Sequence, residues 1–151
     1  MQFEIRPATP SDMPRITHVR TSVRENHLSV EQMADMGITE ASVSEMMLAS
    51  LCCWVALYDN EIVGFSMIDN AEGSLFAAFV LPGHEGKGIG KRLVQIAEQE
   101  LFKRHALIWL ETGASTRAAG FYRSMGWGND KTVGPDYIRL EKRRASEGGL
   151  S

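Results

Sequence analysis

The stretch from Val80 to Leu93, reading Val-Leu-Pro-Gly-His-Glu-Gly-Lys-Gly-Ile-Gly-Lys-Arg-Leu, constrains this chain more than any other. An apolar strand runs out into glycines at alternate positions, Gly86, Gly88 and Gly90, and a helix begins among them. Such a strand-to-helix turn aims several backbone N–H groups at one spot, and the helix dipole makes that spot favourable for an anion. Glycine lets the backbone approach a phosphate closely and adopt positive φ. Lys87, Lys91 and Arg92 add positive charge at the same end, although a solvated helix start is their plainer reading. The segment predicts a pyrophosphate cradle.

Spacing rejects two familiar phosphate loops. A Walker-type loop needs Gly, four residues, Gly-Lys and then Ser or Thr; counting back from Gly90-Lys91 the first glycine falls on Glu85, and Arg92 follows. A dinucleotide fingerprint needs a glycine three residues after its second, and from Gly88 that position is Lys91. A nucleotide-binding domain is therefore disfavoured.

A second segment, Ser115-Thr116-Arg117-Ala118-Ala119-Gly120-Phe121-Tyr122-Arg123-Ser124-Met125-Gly126-Trp127, changes the weight of the first. It reads as a short helix, a glycine stop and an aromatic that opens the next strand. Together the two segments resemble the GNAT family of N-acetyltransferases. That family has a coenzyme A pyrophosphate loop of Gln or Arg, two residues, Gly, one residue, and Gly or Ala. It also has a later Asn-x-x-Ala-x-x-Phe/Leu-Tyr-x-x-x-Gly-Phe segment. Gly88-Ile89-Gly90 matches the first pattern, and Ala118, Phe121-Tyr122 and Gly126 match the second. Three positions depart: Glu85 replaces Gln or Arg, Ser115 replaces Asn, and Trp127 replaces Phe. The resemblance spans residues 3 to 142 and is most specific between Cys53 and Trp127.

The resemblance implies an α/β fold with a mostly antiparallel central sheet, its fourth and fifth strands splayed and helices flanking it. Acetyl-CoA would enter the gap as cosubstrate. Ala78, Phe79 and Val80 would hold the pantetheine arm, and Glu85, Gly86, Lys87, Gly88, Ile89, Gly90 and Lys91 the pyrophosphate. Ser115 would stand near the arm, a hydroxyl of shorter reach than the family's amide. A carboxylate at Glu85 repels a pyrophosphate unless it points outward, so the expectation is that the backbone binds and the adjacent lysines offset the charge.

Chemical need supplies the roles. An alkyl amine is mostly protonated at neutral pH and must lose a proton before it attacks a thioester. Backbone N–H donors would stabilise the oxyanion, and an acid would protonate the departing thiolate. The family's usual acid is the tyrosine of the second segment, here Tyr122. Glu111, at the exit of the fifth strand, is the candidate base, ahead of Glu72 and Asp69. Each has a plainer reading: Tyr122 as a packed tyrosine on the apolar stripe with Ala118 and Met125, Glu111 as a strand-end carboxylate in water. The expected activity is direct transfer of acetyl to a primary amine of a small molecule or peptide. A non-catalytic acyl-CoA sensor on the same fold is the alternative, and homodimers are common among proteins of this kind.

Composition agrees. A chain of 151 residues with 44% hydrophobic and 23% charged residues is of ordinary globular make-up. A net charge of −3 argues against nucleic acid or an anionic membrane as partner, and leaves room for a basic acceptor. No apolar run is long enough to span a bilayer, and the N-terminus lacks the layout of a signal peptide. The two cysteines, Cys52 and Cys53, are adjacent in an apolar strand, and no Cys/His spacing suggests a metal. These features predict a reduced, cytoplasmic protein.

The elements alternate as one domain over residues 1–142, with a loose polar tail over 143–151. Strands are expected over Phe3–Pro7, Leu51–Tyr58, Glu61–Ile68, Ser74–Val80, Ala106–Glu111 and Tyr137–Glu141, with Asp59-Asn60 as a tight hairpin turn. A helix carries Met13, Ile16, Val19 and Val23; a second starts at a Ser29/Gln32 capping box and stops at Gly37; a third starts at Thr39 or Ser42. Two more run over Gly88–Arg104 and Thr116–Met125. His18, His27, His84 and His105 have no partner that suggests catalysis. Met33, Met36, Met46 and Met47 read as core filler in the region where the family builds its acceptor pocket, with Asn26 and His27 nearby.

Overall fold

The computed structural model describes residues 3–23 and 28–145. In chain order it contains β1 (Phe3–Pro7), a 3₁₀ turn (Pro10–Asp12), α1 (Met13–Ser22), α2 (Val30–Asp35), α3 (Glu40–Ala49), β2 (Cys53–Tyr58), β3 (Glu61–Asp69) and β4 (Ser74–Val80). Then come α4 (Ile89–Leu101), β5 (Leu107–Gly113), α5 (Arg117–Ser124), β6 (Gly128–Gly134) and β7 (Tyr137–Arg143). The strands form one sheet in the order β1-β2-β3-β4-β5-β7-β6. Every neighbouring pair is antiparallel except β4 and β5. This is the mixed α/β sheet the sequence predicts.

Local chemistry sets most boundaries. Asp59 and Asn60 sit at φ 52° and 67°, the left-handed pair that a two-residue hairpin turn requires. The Ser29 hydroxyl accepts from the Gln32 amide while Gln32 Oε1 accepts from the Ser29 amide, closing the expected capping box on α2. Thr39 caps α3 in the same way with Ser42. Helix α1 ends one residue earlier than its apolar spacing suggests: Val23 is extended, at ψ 155°. Helix α4 stops at Leu101 because the next amides turn back to i−3 carbonyls, Lys103 to Glu100 and Arg104 to Leu101.

The central strands are apolar on both faces because helices cover both. Alternate residues of β3 divide the labour. The Ser66 hydroxyl donates to the Leu93 carbonyl of α4 at 3.0 Å, and Gly64 faces the same helix. Phe65 and Met67 face the opposite side, where α1 packs. A Cβ at Gly64 would lie 3.0 Å from the Phe79 carbonyl oxygen and 3.1 Å from a Leu93 methyl, so the missing side chain lets α4 approach the sheet. Cys52 and Cys53 are buried free thiols, and burial pushes Cys53 up to about 12, where it stays protonated and unreactive.

Two regions differ from expectation. Strand β6 has no apolar alternation: Asn129, Asp130 and Lys131 are exposed, and the strand exists through backbone pairing with β7 at the sheet edge, with register shifts on the way. Strand β7 runs past Glu141 to Arg143, and the Arg144 amide still donates to the Ala106 carbonyl at 2.8 Å, so ordered pairing crosses the expected start of the tail. The remainder of the tail, from 146, lies outside the described residues, as do Asn26 and His27.

Gly64→Ala should cost about 2 kcal/mol, because the new methyl meets a backbone carbonyl that cannot move aside. Urea denaturation of the two proteins, compared at equal m-value, checks this.

Candidate active site

Strands β4 and β5 touch at one point. Ser74 pairs with Trp109, and beyond that β4 pairs only with β3 while β5 pairs only with β7. The closed end of this fork is fastened by several groups. The Trp109 amide donates to the Gly73 carbonyl at 3.1 Å and its indole N–H to the Glu72 carbonyl at 3.0 Å. The His105 ring lies against Gly73, at φ 77°, and bonds the Asn70 carbonyl at 2.6 Å. The open end leaves two cavities, of about 530 and 640 Å³, which share Ala78, Phe79 and Ala118 as a common wall.

The larger cavity is the glycine-loop cleft. Ala78, Phe79, Val80, Glu85, Gly86, Gly88, Gly90 and Lys91 line it, joined by Val23, Pro82, Arg117 and Phe121; of the other expected residues, Lys87 does not line it and Ile89 is buried in the core. Gly88 is the N-cap of α4 in the left-handed conformation, at φ 83°, with no side chain capping the helix. Helices α2, α3 and α5 differ, being capped by Ser29, Thr39 and Thr116; α1 also lacks a side-chain cap, but it continues directly from the Pro10–Asp12 turn. The first-turn amides of α4 are therefore left for an outside acceptor. Gly86, at φ 81°, and Gly88 have open space where a Cβ would stand. An uncapped 13-residue helix facing an open glycine loop fits a diphosphate.

The charged residues of the loop divide. Lys91 lines the cleft, Lys87 lies over the Tyr58 ring at 4.3 Å, and Arg92 donates to Gln95 at 3.2 Å. Glu85 is met by Arg117 from the start of α5, 3.4 Å away, rather than by the neighbouring lysines. Arg117 is thus a cleft residue that motif reading passed over, although it stands inside the second motif. Ser115 is exposed one residue before the cap and does not line the cleft; the hydroxyl at work there is Thr116, which accepts from the Ala119 amide and donates to the Gly113 carbonyl.

Tyr122 is buried in the wall of the smaller cavity, edge-on to Trp127 with ring centroids 6.0 Å apart. Burial, and then the Glu98 charge, raise its pKa well above the ordinary phenol value, so the hydroxyl is a donor at any working pH. Glu98, which the sequence did not single out, is the anchor beneath it. Its Oε2 accepts from Trp127 Nε1 and its Oε1 from Lys142 Nζ, both at 2.9 Å, and Lys142 also donates to the Met125 carbonyl. The sequence shows only a Glu beside Ala97 and three residues before Leu101 on α4; its burial emerges from the fold. Glu111 also lines the smaller cavity, but Arg139 holds its Oε2 at 2.6 Å while stacking 4.0 Å over Trp109. Glu72 and Asp69 line neither cavity; the Asp69 carboxylate accepts from the Ala71 and Glu72 amides.

Among the described residues no cluster of His, Cys, Asp and Glu could hold a metal ion, and no helix is long and apolar enough to cross a membrane.

A forked mixed sheet with an uncapped helix start beside the fork is the architecture that the family resemblance implies. The chain belongs to the acetyltransferase (GNAT) family, whose profile matches residues 17–127. Comparison with the curated proteins finds no match. Among solved structures, it is similar to the PaiA N-acetyltransferase of Thermoplasma acidophilum in complex with coenzyme A, at TM-score 0.77 and 18% identity over 95% of this chain and all of that one. It is also similar to Ard1 of Thermoplasma volcanium, at TM-score 0.78 and 14% identity over 97% of this chain and 100% of that one. The ribosomal-protein-S18-alanine N-acetyltransferase of Escherichia coli aligns at TM-score 0.69 and 22% identity over 96% of this chain and 97% of that one.

Removing the anchor should be expensive: Glu98→Ala leaves Trp127 Nε1 and the Lys142 ammonium without their acceptor, at a cost of roughly 3 kcal/mol. Urea denaturation followed by tryptophan fluorescence measures it.

Proposed function

We propose that this chain, acting through residues 1–142 as one domain, moves an acetyl group from acetyl-CoA directly to a primary amine. The observation that carries the reading is the pair of cavities meeting at Ala78, Phe79 and Ala118, one built for a phosphorylated carrier and the other largely apolar, with Tyr122 in its wall. Bound acetyl-CoA supplies an activated thioester. Gly86 to Lys91 would grip its diphosphate through main-chain amides, and Arg117 holds the Glu85 carboxylate. The open edge of β4 at Ala78 to Val80 offers backbone partners to an extended arm. Ser115 would serve only from the rim.

On the acceptor side, the apolar wall disfavours an ammonium and so helps the amine shed its proton. Glu111 would receive that proton through water, and its ion pair with Arg139 fixes its orientation. The neutral Tyr122 hydroxyl would donate to the departing sulfur. No described Cys fits a covalent relay, since both thiols are buried and raised in pKa. Acceptor classes printed for structural neighbours, such as a ribosomal-protein alanine, keep peptide N-termini in view beside small amines.

Tyr122→Phe should lower kcat about 100-fold while leaving the acetyl-CoA Kd nearly unchanged. Because burial raises the pKa of the phenol, the wild-type rate should show no alkaline fall from Tyr122. Free-thiol release with a panel of amines, and calorimetric titration of acetyl-CoA, check both; equal losses in rate and affinity would contradict the acid role. Absence of thiol release with every amine would favour a non-catalytic sensor.

A further inference from the structure

Among the described residues three charged side chains line the smaller cavity: Arg20, Glu40 and Glu111. The two acids are answered within the protein. Glu40 accepts from the Thr17 hydroxyl at 3.1 Å, and Glu111 is held by Arg139. Arg20 is not. Its Nη1 is shut off from solvent without a hydrogen-bond partner, and it makes no ion pair among the described residues. Its guanidinium is positioned by an aromatic face, 4.1 Å over the Phe79 ring. Desolvation lowers its pKa, the mark of a cation that has lost water and gained little in return.

A partly buried guanidinium whose Nη1 is shut off from water without an acceptor is costly in the free protein and suits a planar anion arriving with the ligand. The remainder of that cavity restricts which anion. Met13, Ile16, Met33, Val43 and Phe65 give it apolar walls, and its volume of about 530 Å³ holds a large side chain. Phe79, on which Arg20 lies, belongs to the wall shared with the glycine-loop cleft. An anion on Arg20 therefore sits close to the junction of the two cavities, where the amine must also come. A molecule whose amine and carboxylate are a bond or two apart meets both demands.

We propose that Arg20 is a specificity-determining residue that binds the carboxylate of the acceptor, and that the acceptor is a free α-amino acid with a large apolar side chain. The inference rests on the acetyl-transfer reading only for where the amine has to lie. A peptide N-terminus, whose carboxylate is replaced by an amide, would leave Arg20 unanswered.

Calorimetric titration in saturating coenzyme A, which permits no turnover, separates this claim from catalysis. The probes are L-phenylalanine, L-methionine, L-phenylalaninamide and 2-phenylethylamine, with wild type, Arg20→Met and Arg20→Lys. Wild type should bind at least one of the two amino acids roughly 10- to 100-fold more tightly than the amide or the amine. Arg20→Met should abolish that preference, Arg20→Lys should keep part of it, and coenzyme A affinity should not change. Since a partly buried cation without a partner among the described residues is removed, Arg20→Met should melt no lower than wild type, whereas a merely structural arginine would leave a less stable protein. The proposal is overturned by wild type binding neither amino acid, by equal affinity for amide and acid, by undiminished preference in Arg20→Met, or by loss of coenzyme A binding in that variant. Failure of acetyl transfer with intact, Arg20-dependent binding would sink the catalytic reading instead.

Discussion

One hydrogen-bonded bridge between β4 and β5, followed by divergence, organises everything else in this molecule. Had the two strands paired along their length, the sheet would be continuous and neither cavity would exist. The divergence is made affordable by what fastens the closed end: Gly73, Trp109 and His105 knit the strands through main-chain and ring contacts. It is also made safe by coverage. Helix α4 lies close on one face through Gly64, and α1 backs the other, so both faces of the parted strands are covered.

Each side of the fork has its own electrostatic logic. On the glycine side, an uncapped helix start and positive-φ glycines hold donors ready, and the one misplaced carboxylate, Glu85, is drawn to Arg117. On the apolar side, the carboxylates are answered locally, while the Arg20 cation finds no ion pair among the described residues. Tyr122 lies in the wall of the apolar cavity, kept neutral by burial and braced from below by the Trp127–Glu98–Lys142 chain. The neutral form of a phenol is what a proton donor requires.

Sequence reasoning reached the parts of this design that rest on local chemistry. The glycine loop, the Asp59-Asn60 turn, the caps at Ser29 and Thr39, and the doubly apolar strands β2 and β3 were legible because each is written within a few neighbouring residues. Strand β6 was not, since its pairing is with the backbone of β7 and its polar side chains carry no period. The partners of Glu85 and Glu111 were also out of reach: Arg117 and Arg139 come from elements brought near only by the fold. Glu98 looked like one charge among many on a helix, and only its burial against Trp127 gives it a role. Ser115 shows the limit of a motif, because the position matched the pattern while the neighbouring Thr116 took the capping duty.

The unpaired inner edge of β4 has a thermodynamic consequence. Beyond Ser74 its outward amides and carbonyls lack a strand to bond with, so the native state is an unfinished sheet. Any extended ligand that supplies those bonds completes the secondary structure and, by linkage, raises resistance to unfolding in step with its free concentration. In a cell the lifetime of this protein would then track its carrier supply, growing when the pool is full and shrinking when it is spent.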